Sequence, residues 1–238
     1  MRRHLVRLAL LAGVATLALG PLAVPAGAQS ITGGCNVTFN GIDAKTAHSP
    51  GTAIEVDEGD TMRVVGTAPG PITGYDTYMV YGPFKYPAKS GVVTGDKTTW
   101  TGTVKVGDYT RYGVGIYRVE GASTGTVCSG WAYLKINGPF PLTTVAGGVA
   151  GIATVAGVAG MASAARPPKG GRTPGKGRRW RGAFFGLLAG TGAAVLLQQF
   201  GAVPMTPMMM FGVPVGTAMV GTAIGWPKAV AAAAAAAV

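Results

Sequence analysis

The chain has 238 residues, a formal net charge of +11 and 40 glycines, and only 12% of its residues are charged. All nine acidic residues precede residue 121, whereas seven basic residues lie together between residues 166 and 181. The excess positive charge flanks apolar runs and the middle of the chain is balanced, so we do not expect nucleic-acid binding. The distribution is typical of a membrane protein with a defined orientation.

Residues 1–28 have the parts of a secretory signal. A basic start precedes an apolar run over residues 8–19 and the small-residue site Ala26-Gly27-Ala28, which predicts cleavage before Gln29. An uncleaved signal anchor is the alternative, although the apolar run is short for a membrane span. Export through the general secretory route is favoured over the twin-arginine route that Arg2-Arg3 would also fit.

From Gln29 to about Pro141, short runs rich in Val, Ile, Thr and Tyr alternate with clusters of Gly, Pro and Asp. The runs are residues 35–40, 52–57, 61–67, 75–81, 98–106, 112–119 and 126–136. This spacing predicts an all-β fold, a seven-stranded sandwich over residues 29–141. The turn residues between the second and third runs predict a hairpin, with Gly59 at a positive φ.

The chain has two cysteines, and strand alternation places both on apolar faces. Cys35 shares its face with Val37 and Phe39, and Cys128 shares its face with Ala132. In an exported domain this arrangement predicts a Cys35–Cys128 disulfide between the first and last strands. A pair of buried free thiols is the alternative.

The strand number and the closing run Gly125-Thr126-Val127-Cys128-Ser129-Gly130-Trp131-Ala132-Tyr133-Leu134 give this region a family resemblance. Residues 29–141 resemble bacterial immunoglobulin-like or fibronectin-type-III-like surface domains. The resemblance is architectural: it implies a sandwich fold and assigns no functional residues to this chain. Antibody domains place their cysteines on two inner strands, whereas Cys35 and Cys128 lie near the ends of the region.

The rest of the chain is dominated by apolar segments. Leu142 begins 24 residues without a charge, which is enough to span the hydrocarbon core of a bilayer. The basic segment that follows is expected on the cytoplasmic side, which places the sandwich outside the plasma membrane. The expected segments are a transmembrane helix at 142–165, a basic cytoplasmic loop at 166–181, transmembrane helices at 182–203 and 208–226, and an alanine-rich tail at 227–238.

Glycines recur four residues apart in the apolar segments, and such spacing lets helices approach closely in lipid. They would serve either a compact intramolecular bundle or a homo-oligomer, although a glycine-rich composition also produces such spacings. The candidate packing residues are Gly147, Gly151, Gly182, Gly186 and Gly190.

Aromatic residues in the β region form a candidate interaction surface for a protein or a cell-wall glycan. Alternation turns Tyr78 outward if its neighbours Tyr75 and Tyr81 face the core. The alternative is that these rings cover a sheet face or rest on the membrane. The candidate residues are Tyr78, Phe84, Tyr86, Trp131 and Tyr133.

Catalytic and metal-binding patterns are weak. Gly121 to Gly125 fits G-x-S-x-G, but it lies between two strands and not at a strand-to-helix turn. Residues 170–176 fit G-x-x-x-x-G-K, yet Gly177 replaces the Ser or Thr of a P-loop. His48 stands alone, so we expect no metal, no cofactor and no enzymatic activity. The absence of charges in the spans disfavours a transporter.

These observations predict a membrane-anchored cell-envelope protein that presents an immunoglobulin-like sandwich outside the cell as a binding or assembly module. The alternative is a small oligomeric membrane protein, holin-like or a subunit of a complex, in which the sandwich is only a cap. An enzyme is the third hypothesis. Each function depends on a particular site, because the fold alone does not define one.

Overall fold

The computed structural model describes most of the chain beyond its N-terminal segment. The described residues are 31–95, 97–107, 113–166 and 177–224. The expected signal peptide, most of the basic loop and the alanine-rich tail therefore lie outside them. The chain forms two compact units: one holds the strands together with residues 195–207, and the other holds residues 149–194 and the segment from residue 208.

The strands of the described residues form two sheets. The strands are β1 (Asn36–Phe39), β2 (Ile42–Asp43), β3 (Ile54–Asp57), β4 (Thr61–Thr67), β5 (Ile72–Tyr81), β6 (Phe84–Val92), β7 (Thr99–Lys105), β8 (Gly115–Gly125) and β9 (Ser129–Asn137). The four-stranded sheet has the order β2-β1-β4-β7, and the five-stranded sheet has the order β3-β9-β8-β5-β6. Edge strands β6 and β7 thus belong to different sheets.

The predicted β-sandwich with C-terminal helices is observed, but the strand number of seven is wrong, because the described residues contain nine strands. The two strands missed by the sequence patterns are β2 and β6. β2 has only two residues, too few to show alternation. β6 contains Pro87, which a sequence pattern disfavours but an edge strand tolerates because one side of its backbone needs no partner.

The turn after β3 connects the two sheets. β3 pairs in parallel with β9, whereas β4 pairs with β1 and β7 in the other sheet. The Asp60 amide donates to the Asp57 carbonyl at 3.0 Å to close the turn, and Gly59 does not have a positive φ. The predicted hairpin is wrong because alternation shows which face a residue takes and does not show which strand is its partner.

The core lies between the two sheets. Phe39, Met62 and Val64 extend into it from the four-stranded sheet, and Tyr117 and Leu134 extend from the five-stranded sheet. Tyr117 is 1% exposed, and its hydroxyl donates to the Gly113 carbonyl at 2.6 Å. The largest polar side chain of the core is therefore satisfied.

The predicted Cys35–Cys128 disulfide is confirmed. Cys35 lies just before β1 and Cys128 just before β9, with their Cα atoms 6.0 Å apart. Since β1 and β9 belong to different sheets, the bond joins the two layers of the sandwich. It closes a sequence separation of 93 residues.

The C-terminal region is helical. It contains α1 (Val145–Ala165), α2 (Gly177–Gln199), a π-helical turn (Met208–Gly212) and α3 (Val213–Ile224). α1 and α2 are long and apolar enough to cross a membrane by length and composition, and the helical segment from Met208 to Ile224 is shorter. α2 begins at Gly177, so the last arginines of the predicted loop form its first turn.

The glycines of α2 pack against α3 of the same chain. A Cβ atom added to Gly182 or Gly186 would overlap backbone atoms of Gly221 or Thr217, and one added to Gly190 would also meet Thr217. Only glycine allows this approach of two helix backbones. This face is therefore covered within one chain and is not free for a second copy.

A different set of small residues joins α1 to α2. An added Cβ at Gly157 would lie 2.5 Å from the Ala189 nitrogen, and one at Gly192 would lie 2.5 Å from the Ala150 carbonyl. Gly147 belongs to the other unit, where it faces the Gln199 side chain. Gln199 is the last residue of α2, so Gly147 packs against the C-terminal end of that helix.

Candidate interaction surface

The outer face of the five-stranded sheet carries a row of three side chains on adjacent strands. Tyr78 of β5 is paired with Glu120 of β8, and Glu120 is paired with Trp131 of β9. Because the side chains alternate, all three point away from the core. Strands lie about 4.8 Å apart, so the two aromatic residues stand roughly 10 Å apart with the carboxylate between them.

The Glu120 carboxylate is held by two cations. Its Oε2 atom lies 2.5 Å from the Lys85 ammonium, and its Oε1 atom lies 2.9 Å from the Arg118 guanidinium. The Glu120 side chain is only 18% exposed, whereas that of Lys85 is 60% exposed. The carboxylate is therefore fixed in position at the centre of the row by charge-assisted hydrogen bonds.

Arg118 also orients Trp131. The guanidinium carbon of Arg118 lies 4.7 Å from the centre of the Trp131 ring, which is a cation–π contact. The Tyr133 ring meets the same indole edge to face, with ring centres 5.5 Å apart. Trp131 is half-buried, so these neighbours hold its ring in place while part of it remains accessible.

Tyr133 lies on the predicted outer face of β9 but is not accessible to a partner. It is 3% exposed, and its amide donates to the Ala47 carbonyl at 2.9 Å, because the segment before β3 covers this part of the sheet. Burial raises the pKa of Tyr133, and the positive charge of Arg118 opposes that rise. The role of Tyr133 is therefore to pack against the Trp131 ring.

Phe84 and Tyr86 lie on the other side of edge strand β6. Tyr86 is paired with Met79, a core residue, whereas Lys85 between them points outward to Glu120. Phe84 is 50% exposed and meets Tyr86 with ring centres 6.4 Å apart. The five aromatic residues predicted from the sequence therefore do not form one surface.

Sequence reasoning did not select Glu120, Arg118 or Lys85 as site residues. All three are charged residues in or beside predicted strands, which usually indicates a solvated face. Only the register of β8 against β5 and β9 brings Glu120 between two aromatic residues.

The weak catalytic pattern of the sequence has an ordinary structural role. The Ser123 hydroxyl donates to the Thr126 carbonyl at 2.7 Å and accepts from the Cys128 amide at 3.1 Å, which closes the turn between β8 and β9. The His48 Nδ1 atom lies 3.2 Å from the Lys45 carbonyl, a local contact. Within the described part of the chain, no group of three His, Cys, Asp or Glu residues is arranged to hold a metal ion.

No family model matches the sequence, and no curated protein matches it. Solved structures that match part of the chain include a Jonesia denitrificans lytic polysaccharide monooxygenase, at 10% identity and a TM-score of 0.26, with 36% of this chain and 57% of that one covered. The catalytic domain of a lytic polysaccharide monooxygenase from Listeria monocytogenes matches at 9% identity and a TM-score of 0.29, with 37% and 60% covered. A chitin binding domain from Burkholderia pseudomallei matches at 7% identity and a TM-score of 0.24, with 36% and 56% covered. The chain thus spans between half and three fifths of the length of these structures.

These matches correct the prediction that the chain is not an enzyme. Lytic polysaccharide monooxygenases and a polysaccharide lyase are among the matched structures. The prediction that the chain has no enzymatic activity is therefore wrong. It was based on missing sequence motifs, and catalytic sites are assembled from residues far apart in sequence. At these TM-scores the likeness assigns no reaction and no residue to this chain.

Proposed function

We propose that the chain is a membrane-anchored cell-envelope protein whose β-sandwich binds a glycan outside the cell. The observation that carries the proposal is the row of Tyr78, Glu120 and Trp131 on the outer face of the five-stranded sheet. An exposed sheet face usually carries isolated polar residues. Here two aromatic residues flank a carboxylate that is already fixed by Arg118 and Lys85.

The chemistry of this row suits a sugar. Aromatic rings offer an apolar face to the C–H groups of a pyranose, and a carboxylate accepts hydrogen bonds from its hydroxyls. Arg118 and Lys85 supply donors and leave the cluster with a small positive excess. Because the ion pairs fix these groups before binding, little side-chain entropy is lost when a ligand arrives.

Two features support an immunoglobulin-like topology within this proposal. β3 runs parallel to β9 at one edge of the five-stranded sheet, and β1, β4 and β7 follow one another in the opposite sheet. Tyr117 near the start of β8 bonds to a backbone carbonyl four residues upstream. The latter contact resembles the tyrosine corner of immunoglobulin-like domains.

Anchoring in the plasma membrane is supported by α1 and α2 and by the charge distribution. Both helices have the length and composition of membrane spans. The seven basic residues between residues 166 and 181 favour a cytoplasmic position for the connection between them. The sandwich, which precedes α1, would then lie outside the cell.

The binding proposal is tested with full-length protein in nanodiscs, mixed with insoluble chitin, cellulose and peptidoglycan. We expect retention on at least one glycan, and a loss of about tenfold or more in affinity for Trp131→Ala and Tyr78→Ala, since anchor residues typically contribute 1–2 kcal/mol or more. Phe84→Ala is the matched control, because Phe84 is an exposed aromatic residue on the other side of β6. Equal binding by all four proteins, with unchanged thermal unfolding, would exclude the outer face as the site.

A further inference from the structure

A cavity of about 120 Å³ lies between the two sheets, and its walls are mainly apolar. Val37, Val64 and Trp100 line it from the four-stranded sheet, and Tyr75 and Val119 line it from the five-stranded sheet. Apolar cavities of roughly 150 Å³ in proteins stay free of water and bind benzene or xenon. The cavity is somewhat smaller than these, so it has room for a short apolar chain of about five carbons.

The cavity has a specific cause in the sequence. On the inner face of the five-stranded sheet, Lys89, Thr77, Gly121 and Gly130 form one row across β6, β5, β8 and β9. Gly121 and Gly130, the neighbours on β8 and β9, carry no side chain, so the sheet leaves space where a Val or Leu would ordinarily fill the core. On the opposite sheet Gly66 is also without a side chain and lines the same space.

We take the side between edge strands β6 and β7 as the mouth of the cavity, because Lys89 of β6 and Trp100 and Val104 of β7 line it there and Lys89 supplies a positive charge. Lys89 lines the cavity, and its ammonium donates to the Thr103 carbonyl on β7 at 2.7 Å. An ammonium has three donors, so two remain for another acceptor. The other charged lining residues, Asp76 and Glu120, point to the outer face by strand alternation, and Glu120 is ion-paired there.

We propose that this cavity binds the acyl tail of a carboxylate amphiphile of the fatty-acid class. The first carbons of the tail occupy the space above Gly121 and Gly130, and the carboxylate meets Lys89 at the mouth. The apolar walls favour the tail, and the ammonium selects an anionic head through a charge-assisted hydrogen bond. This site is on the inner face of the sheet, whereas the side chains of Tyr78 and Trp131 point to the outer face.

The probe is hexanoic acid that carries a photoreactive diazirine, applied to the full-length protein in nanodiscs and mapped by peptide mass spectrometry. We expect adducts on the peptides that contain Tyr75 and Trp100. Gly121→Val should reduce this labelling at least tenfold, because its side chain occupies the cavity. Lys89→Met should reduce it about threefold to tenfold and bring it to the level of the matching uncharged hexanol probe.

Gly121→Val is expected to fold, since an added Cβ would find its nearest atoms at 3.8 and 3.9 Å, which is ordinary contact. Gly51→Val is the control, because no atom lies within 4 Å of its added Cβ. Val64→Ile adds one methylene from the opposite sheet and should give a smaller, graded loss. Tyr78→Ala should label like the wild type, because Tyr78 does not line the cavity, and this separates the proposal from glycan binding.

Two results would overturn the proposal. One is labelling of Gly121→Val and Val64→Ile at the wild-type level while thermal unfolding shows both to be folded. The other is adducts confined to α1 and α2, which would indicate partition of the probe into the bilayer alone.

Discussion

Tyr133 illustrates how a single buried residue affects stability. Burial raises the pKa of its hydroxyl, so the folded state holds the proton more tightly than the unfolded state does. The resulting stability is fully present below the pKa of an unfolded tyrosine, about 10, and is lost as pH rises through the folded pKa. We expect Tyr133→Phe to change stability little at pH 7 and to unfold less readily than the wild type above about pH 10.

The measurement for Tyr133 is thermal unfolding of both proteins at neutral and at alkaline pH, with readings taken quickly to limit disulfide exchange. The difference between the two proteins is informative because they differ only in the Tyr133 hydroxyl. Tyr86→Phe is the control, because Tyr86 is only half-buried whereas Tyr133 is buried. A parallel loss of stability in wild type and Tyr133→Phe would contradict the expected effect.

At the scale of elements, the helices depend on glycines that allow their backbones to touch. An added side chain at Gly186 would overlap Thr217 of α3, so Gly186→Leu is expected to separate α2 from α3. The separation should increase proteolysis of the C-terminal segment in detergent. Gly216→Leu is the matched control, because it lies in α3 with no atom near an added Cβ.

Crosslinking of the same proteins in membranes tests the role of this glycine face in assembly. Since the face is covered by α3, we expect the same crosslinked species for wild type and Gly216→Leu, without a dimer that depends on Gly186. A dimer seen in the wild type and lost in Gly186→Leu would instead favour the oligomeric alternative. The sequence predicted the packing role of Gly182, Gly186 and Gly190, whereas their partner depended on the position of α3.

At the scale of the whole molecule, the disulfide ties the two sheets together. Replacing both Cys35 and Cys128 with alanine is expected to lower the unfolding free energy by about 4 to 5 kcal/mol, because a closed loop of this length restricts the unfolded chain. Chemical denaturation of the full-length protein measures the loss, and reduction of the wild type should give a similar value. A loss below about 1 kcal/mol would indicate an unfolded state that is already compact.

The sandwich unit also includes chain from far along the sequence. The Gly82 amide donates to the Met205 carbonyl at 2.8 Å. Gly115 has a φ of 128°, and a Cβ there would overlap the Gln198 carbonyl, so only glycine fits. Nothing in the sequence pattern near Gln198 indicated this contact, because residues 182–203 were predicted as a membrane span from their hydropathy alone.

Local periodicity accounts for what the sequence determined by itself. Alternation placed Cys35 and Cys128 on inner faces, located seven of the nine strands and turned Tyr78 and Trp131 outward. Long apolar runs located α1 and α2. These properties depend on neighbours within a few residues, so a single sequence contains them.

The tertiary structure alone decided which elements meet. It paired β3 with β9, placed Glu120 between Tyr78 and Trp131, and set Gly121 beside Gly130 to leave a cavity. Alternation along a strand fixes which face each residue takes, but it does not fix which residue lies opposite on the next strand. Strand partners and register follow instead from packing of the entire core. The two candidate sites of this protein therefore appear only once the sheet is assembled.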